Sequence, residues 1–215
     1  MSHNAPLSFV HRYEPATDAG APPLLLLHGT GGDENDLIGL GRMLSPGSAL
    51  LSPRGKVLEG GEGRPLPRFF RRLREGVFDE DDVRVRAAEL AGFITEAREA
   101  YGLAAPIAIG FSNGANIAAA VLLTQPDALA GAVLMRAMVP LAAPPVTDLA
   151  GKGVLLLSGA MDPIVPEDNA ARLAGQLRAA GARLDHRTLP AGHGLSQADV
   201  SLARAWLAGP AHAAA

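Results

Sequence analysis

The stretch Gly110-Phe111-Ser112-Asn113-Gly114 constrains this chain more than any other. A short apolar run, Pro106 to Ile109, precedes it, and Ala115 to Leu123, rich in small and aliphatic residues, follows. That order predicts a strand, an abrupt turn and a helix. The bare Gly-x-Ser-x-Gly pattern is weak, because it arises by chance in glycine-rich chains. Set between a strand and a helix it gains meaning: the turn holds Ser112 in a strained backbone geometry with its hydroxyl clear of the sheet. Gly110 and Gly114 are then needed because a Cβ at either position would block the crossing of strand and helix.

The rest of the chain alternates in the same way. Leu7 to Tyr13 reads as an edge strand. Leu24 to Leu27, four consecutive leucines, reads as a strand buried on both faces. Thr30 to Asp36 is a polar loop before a helix near Leu37 to Leu44, and Ala49 to Ser52 is another strand. Asp79 opens a helix that runs to Tyr101; Asp79 is a natural N-cap and the acids after it suit the positive end of the dipole. After the serine turn and its helix, which Pro126 ends, strands are expected at Gly131 to Met138, Val154 to Ser158 and Arg183 to Leu189. Helices are expected from Pro166 to Ala180 and from Gln197 to Leu207. This is the doubly wound α/β class, with a mostly parallel central sheet and helices on both faces. One domain is expected over residues 1–215, with disordered tails at about 1–6 and 209–215. No insertion between the serine helix and Asp162 is large enough for a lid domain.

One segment breaks the alternation. Lys56 to Phe78 reads as irregular and is too long for an ordinary connection, so it is functional or mobile. Arg54, Lys56, Arg64, Arg68, Arg71, Arg72 and Arg74 fall in or beside it, with Phe69 and Phe70 among them. One reading is a solvated face neutralised by Glu75 and the acids from Asp79 to Asp82. The other is that Arg54, Arg68 or Arg71, with Phe69 and Phe70, lines a pocket and selects an anionic or aromatic acyl group. Arg136 joins that question, since a charge inside an apolar run needs a partner or an exit to solvent.

Composition excludes several chemistries. The chain has 215 residues, no cysteine, 19 % charged residues and a net charge of −3. Disulfides, thiolate metal sites and a cysteine nucleophile are ruled out, and the charge gives no sign of a nucleic-acid or membrane partner. The N-terminus lacks a signal-peptide pattern, and no uncharged apolar run reaches bilayer length, so a cytoplasmic protein is expected.

A serine hydroxyl needs a base to become nucleophilic, and the base needs an acid to orient it. Of six histidines, His3 and His212 lie in the tails, His11 and His186 in strands, and His28 in the turn after the leucine strand, where it shapes a loop. His193, in the glycine-flanked loop after the last strand, remains as the base. The acid belongs between serine and histidine in chain order, and Asp162 sits just past the strand Val154 to Ser158, at the carboxyl edge where ligands bind. Asp168 is explained by its helix dipole, and Asp148 lies before its strand. An oxyanion hole is expected from the backbone N–H groups of Asn113, after the serine, and Thr30, in the His28-Gly29-Thr30-Gly31 turn.

The runs LLLLHGTGGDENDL, GFSNGAN, SGAMDPIVP and AGHGLS together resemble the phospholipase/carboxylesterase branch of the α/β-hydrolases, which holds small carboxylesterases and acyl-protein thioesterases. SPRGKVLEGGEGRPLPRFFRR with EGVFDEDD resembles a bacterial subgroup linked to quinone and hydroquinone stress, whose members have been labelled carboxylesterase or dioxygenase. The similarity spans about residues 7 to 207. It implies Ser112 as nucleophile, Asp162 as acid, His193 as base, and Thr30 and Asn113 as oxyanion donors, the assignment reached above from the residues. Dienelactone hydrolases of similar size use a cysteine, which this chain lacks.

The expectation is therefore a serine hydrolase of small carboxylic esters or thioesters, with no metal and no organic cofactor. A homodimer is compatible with so apolar a composition. Two alternatives stay open: a cofactor-free oxygenase, or a non-catalytic binding protein, for a quinol-like or small anionic aromatic ligand.

Overall fold

A computed structural model describes residues 7–60 and 65–209. The expected tails, apart from Gly209, and Arg64 of the basic segment lie outside these residues. The four leucines Leu24–Leu27 are all fully excluded from solvent. Alternate side chains of a strand point to opposite faces, and here Leu25 and Leu27 join one apolar cluster while Leu24 and Leu26 join another. Burying four leucines contributes roughly 6–12 kcal/mol before chain entropy is subtracted.

In chain order the elements are β1 (His11–Glu14), β2 (Leu24–Leu27), α1 (Ile38–Leu44), β3 (Leu50–Pro53), β4 (Val57–Glu59), β5 (Leu66–Arg68), β6 (Arg72–Arg74), β7 (Val77–Phe78) and α2 (Glu80–Tyr101). Then come β8 (Ile107–Phe111), α3 (Asn113–Thr124), β9 (Gly131–Met135), β10 (Gly153–Gly159), α4 (Glu167–Ala179), β11 (Arg183–Leu189) and α5 (Gln197–Ala208). The main sheet has seven strands in the order β1-β3-β2-β8-β9-β10-β11. Only β1 is antiparallel to its neighbour; the other pairings are parallel. Helices α2, α3 and α4 cover one face, and α1 and α5 cover the other. This is the expected doubly wound α/β-hydrolase arrangement, and it brings the ends of β2, β8, β9 and β10 to one edge.

Local chemistry sets the boundaries. Asp79 caps α2 by accepting from Asp82 N–H, acids fill the first turn, and Gly102 ends the helix in a left-handed conformation at φ 67°. The strand expected to reach Met138 stops at Met135 because Arg136 takes φ 59°, which an extended strand cannot continue through. The segment expected to be irregular, 56–78, instead holds two small antiparallel sheets, β4 with β5 and β6 with β7. Its strands are only two or three residues long, and neighbouring acids pair its arginines: Arg68 and Arg72 with Glu59, Arg71 with Asp79.

The glycines beside Ser112 are required by close backbone approach. A Cβ on Gly114 would stand 2.0 Å from Leu27 O, and one on Gly110 would stand 2.6 Å from Ala115 Cα. Gly92, on the exposed side of α2, has nothing within 4 Å of its virtual Cβ. Gly92→Ala is expected to stabilise the protein by about 0.5–1 kcal/mol, read as a rise in Tm, whereas Gly114→Ala is expected to yield no soluble folded protein.

Candidate active site

Ser112 follows the last residue of β8 and precedes the first of α3, with φ 52° and ψ −115°. A left-handed backbone is unfavourable for a residue with a Cβ and persists only where surroundings impose it. Here the Ser112 N–H is fixed to Met135 O at 2.9 Å and Ser112 O accepts from Asn116 N–H. The Oγ lies 3.0 Å from His193 Nε2, and His193 Nδ1 lies 2.9 Å from Asp162 Oδ2. A carboxylate only accepts, so Nδ1 carries the ring proton and Nε2 is left to accept from the serine hydroxyl. The Asp162 side chain is wholly buried. Its Oδ1 also accepts from the N–H groups of Ile164 and Val165 at 2.8 and 3.1 Å. Asp162 thus closes an Asx turn and orients His193 at once. Asp148 only caps Ala150 N–H, and Asp168 sits in the first turn of α4.

The loop after β2 forms the facing wall. His28 is buried, with Nδ1 2.7 Å from Gly29 O and Nε2 accepting from Gly55 N–H at 3.0 Å. This pairing requires the neutral ring, and burial pushes its pKa below the ordinary value, against the opposing pull of the Gly29 carbonyl and nearby acids. His28 therefore shapes the loop, as expected. Thr30 Oγ1 accepts from Arg68 Nη1 at 2.8 Å. The backbone N–H groups of Thr30 and Asn113 have no protein acceptor among the described residues, and both residues line one cleft with Ser112. Asn113 Oδ1 accepts from Phe69 N–H, while its buried Nδ2 has no partner.

The cleft has a volume of about 280 Å³. Ser112, His193, Gly29 and Thr30 form its reactive end, and Phe78, Phe111, Met138, Ile164 and Val165 give apolar walls. Arg68, Arg72 and Glu75, from the two small sheets, close the remaining side. No group of three or more His, Asp or Glu residues among the described residues is arranged to hold a metal ion, and no helix among them is long and apolar enough to cross a membrane.

The model of the phospholipase/carboxylesterase family matches residues 13–208. The chain belongs to that family. It is 45 % identical over 198 residues to MhqD of Bacillus subtilis (strain 168), a protein named only as a hydrolase; the match covers 91 % of this chain and 96 % of that one. A carboxylesterase structure from Bacillus cereus superposes with a TM-score of 0.89 at 42 % identity over 93 % of both chains. One from Mesorhizobium loti does so with a TM-score of 0.87 at 34 % identity, over 96 % of this chain and all of the other. These matches agree with the resemblance drawn from the motifs, including the bacterial quinone-stress subgroup, and mark the chain as a carboxylic ester hydrolase.

Against this carboxylesterase frame, the residues expected to select substrate divide. Arg68 lines the cleft. Arg54 does not: it is paired with Glu34 at 2.5 Å. Phe69 and Phe70 are core residues, Phe69 against His28 and Phe70 against Phe78. They face inward because strand β5 turns its Arg68 and the chain after it beneath the Gly55 turn, where a Cβ on Gly55 would meet Arg68 backbone at 2.3 Å. Arg136 borders the cleft but its guanidinium is committed to Asp199 at 2.7 and 2.9 Å, both side chains being wholly buried. Burial works to raise the Asp199 carboxyl, but the Arg136 guanidinium and the Ser196 donors outweigh it and hold its pKa below the usual range. Sequence reading missed Asp199, whose only signal is the Ser196-x-x-Asp199 capping box of α5.

Since His28 titrates lower in the folded state, its contribution to stability is complete above about pH 6.5 and declines as pH falls toward the folded value. His28→Asn leaves the Gly55 N–H unpaired and is expected to cost about 1–3 kcal/mol at pH 7.5. The gap in Tm between this variant and wild type should narrow as pH is lowered below 6.5, which a series of melting curves reads directly.

Proposed function

We propose that the protein hydrolyses small carboxylic esters, and thioesters of similar size, through an acyl-enzyme formed on Ser112. His193 Nε2 takes the Ser112 proton as Oγ attacks the carbonyl carbon, and Asp162 stabilises the imidazolium that results. The Thr30 and Asn113 N–H groups receive the oxyanion of the tetrahedral intermediate, at the N-terminus of α3 where the helix dipole also favours negative charge. Collapse returns the proton from His193 to the leaving group. Water, deprotonated by the same histidine, then releases the acid.

The observation that carries this reading is the unbroken contact from Ser112 Oγ to His193 Nε2 at 3.0 Å and on from Nδ1 to Asp162. It is joined by the unpaired N–H groups of Thr30 and Asn113 beside it. Substrate size follows from the cleft, whose 280 Å³ lies just below the roughly 300–1,000 Å³ typical of pockets for drug-sized ligands. Short acyl chains are therefore the substrate class.

Hydrolysis of p-nitrophenyl esters from acetate to octanoate, with fluorophosphonate labelling read by mass spectrometry, tests the mechanism. Ser112→Ala is expected to lose the label and at least about 10⁴-fold in kcat. Turnover that survives in Ser112→Ala would overturn it, and oxygen uptake with hydroquinone persisting in that variant would favour the oxygenase alternative.

Arg68 carries the selectivity half of the proposal. Its guanidinium is nearly fully buried at the cleft, balanced by Glu59 at 3.2 Å and bonded to Thr30 and the Phe70 carbonyl. A carboxylate on the acyl group would compete with Glu59 for that fork. Arg68→Met is expected to lower the ratio of kcat/KM for half-esters of dicarboxylic acids over acetate esters by about tenfold, equal to about 1.4 kcal/mol. A ratio equal to that of the wild type would remove Arg68 from substrate selection.

A further inference from the structure

Two non-glycine residues of the described chain have a left-handed backbone: Ser112 at φ 52° and Arg136 at φ 59°. They are neighbours. Strands β8 and β9 run parallel with Phe111 beside Met135, so Ser112 and Arg136 are the next residues of adjacent strands. Each leaves its strand by the same step, donating its N–H to the strand beyond: Ser112 to Met135 O and Arg136 to Leu157 O, both at 2.9 Å. At Ser112 the turn presents a hydroxyl. At Arg136 it carries a guanidinium beneath the loop that holds His193.

The contacts of that guanidinium are specific. Nε donates to Gly192 O at 2.8 Å and Nη2 to Gly194 O at 3.2 Å, the carbonyls on either side of His193. Nη1 and Nη2 also take the two oxygens of Asp199, and Nη1 reaches Leu157 O at 3.3 Å. Asp199 is itself fixed by the N–H and hydroxyl of Ser196, at 2.8 and 2.7 Å. A second tie comes from above, where Met161 N–H donates to Ala191 O at 3.0 Å. A buried ion pair that served only to fasten α5 to the sheet would have no use for the carbonyls flanking His193.

We infer that Arg136, held by Asp199, is a positioning residue of the esterase reaction: it sets the height and tilt of the His193 imidazole against Ser112 Oγ. The inference rests on the proposal that His193 is the base. Arginine is required because only a planar fork can meet a carboxylate on one edge and a pair of carbonyls on the others; a lysine ammonium keeps the charge and loses the fork.

The test is Arg136→Lys, made both in the wild type and in His193→Ala, with turnover of p-nitrophenyl acetate and thermal melting for each. In the wild-type background kcat is expected to fall by about 10²-fold, the cost of misplacing a reacting group by about an ångström, with KM within about twofold. In the His193→Ala background the same substitution is expected to cause no further loss of residual turnover. Wild-type kcat in Arg136→Lys, or an equal loss in both backgrounds, would overturn the inference, since a merely structural residue lowers the folded fraction whether or not His193 is present. If Arg136→Lys fails to fold, the pair Arg136→Met/Asp199→Leu removes both buried charges together. That pair is expected to fold and show the same fall in kcat, and wild-type turnover in it would overturn the inference. His193→Ala retaining full activity would sink the base assignment itself and this inference with it. An inactive His193→Ala beside an unaffected Arg136→Lys would sink only the role given to Arg136.

Discussion

The close crossing of α3 over the ends of β2 and β8 is the contact on which the site depends. With hydrogen in place of a side chain at Gly114, the start of α3 lies against the Leu27 and His28 carbonyls. This sets Asn113, the first residue of the helix, in the same cleft as Thr30 from the loop after β2. Two residues whose backbone N–H groups have no protein acceptor among the described residues thus line the cleft that holds Ser112. The sheet order makes this possible, because β2 and β8 are hydrogen-bonded neighbours although some eighty residues of chain lie between them.

Charge is handled differently on the two sides of the cleft. On the side of β4 to β7, arginines and acids pair near solvent, as Arg71 does with Asp79 and Arg72 with Glu59 and Glu75. Exposed pairs of this kind contribute little to stability, so they set shape and local potential more than fold. On the side of β9 and α5, Arg136 and Asp199 are sealed from water. The desolvation of such a pair is offset only by complete hydrogen bonding, and every nitrogen of that guanidinium has an acceptor.

What the sequence revealed and what it concealed have separate physical causes. Leu24–Leu27, the serine turn and the cap at Asp79 were legible because strand burial, backbone crowding and capping act within a few residues. His193 and Asp162 were legible because chain order and the sheet edge leave few candidates, and the structure brings both to Ser112. The 56–78 segment was misread as irregular because its strands are only two or three residues long and no apolar alternation develops. One reading of the sequence lines the pocket with Phe69 and Phe70, but both are buried in the core beside the close approach of the Gly55 turn to Arg68, a contact that no local pattern encodes. The partner of Arg136 was out of reach for the same reason, since Asp199 lies sixty-three positions further on.

That separation bears on how the protein comes into being. A ribosome releases residues in order, and the sheet around Ser112 is complete to β9 once Met135 has emerged. Arg136 is then made ahead of its counter-ion, since Asp199 and the 192–194 carbonyls that its guanidinium meets in the folded protein are synthesised later. Ser112 is likewise made eighty-one positions before His193, the side chain it meets in the folded cleft. Packing of the C-terminal helix against the sheet is what brings the buried Arg136 guanidinium its carboxylate.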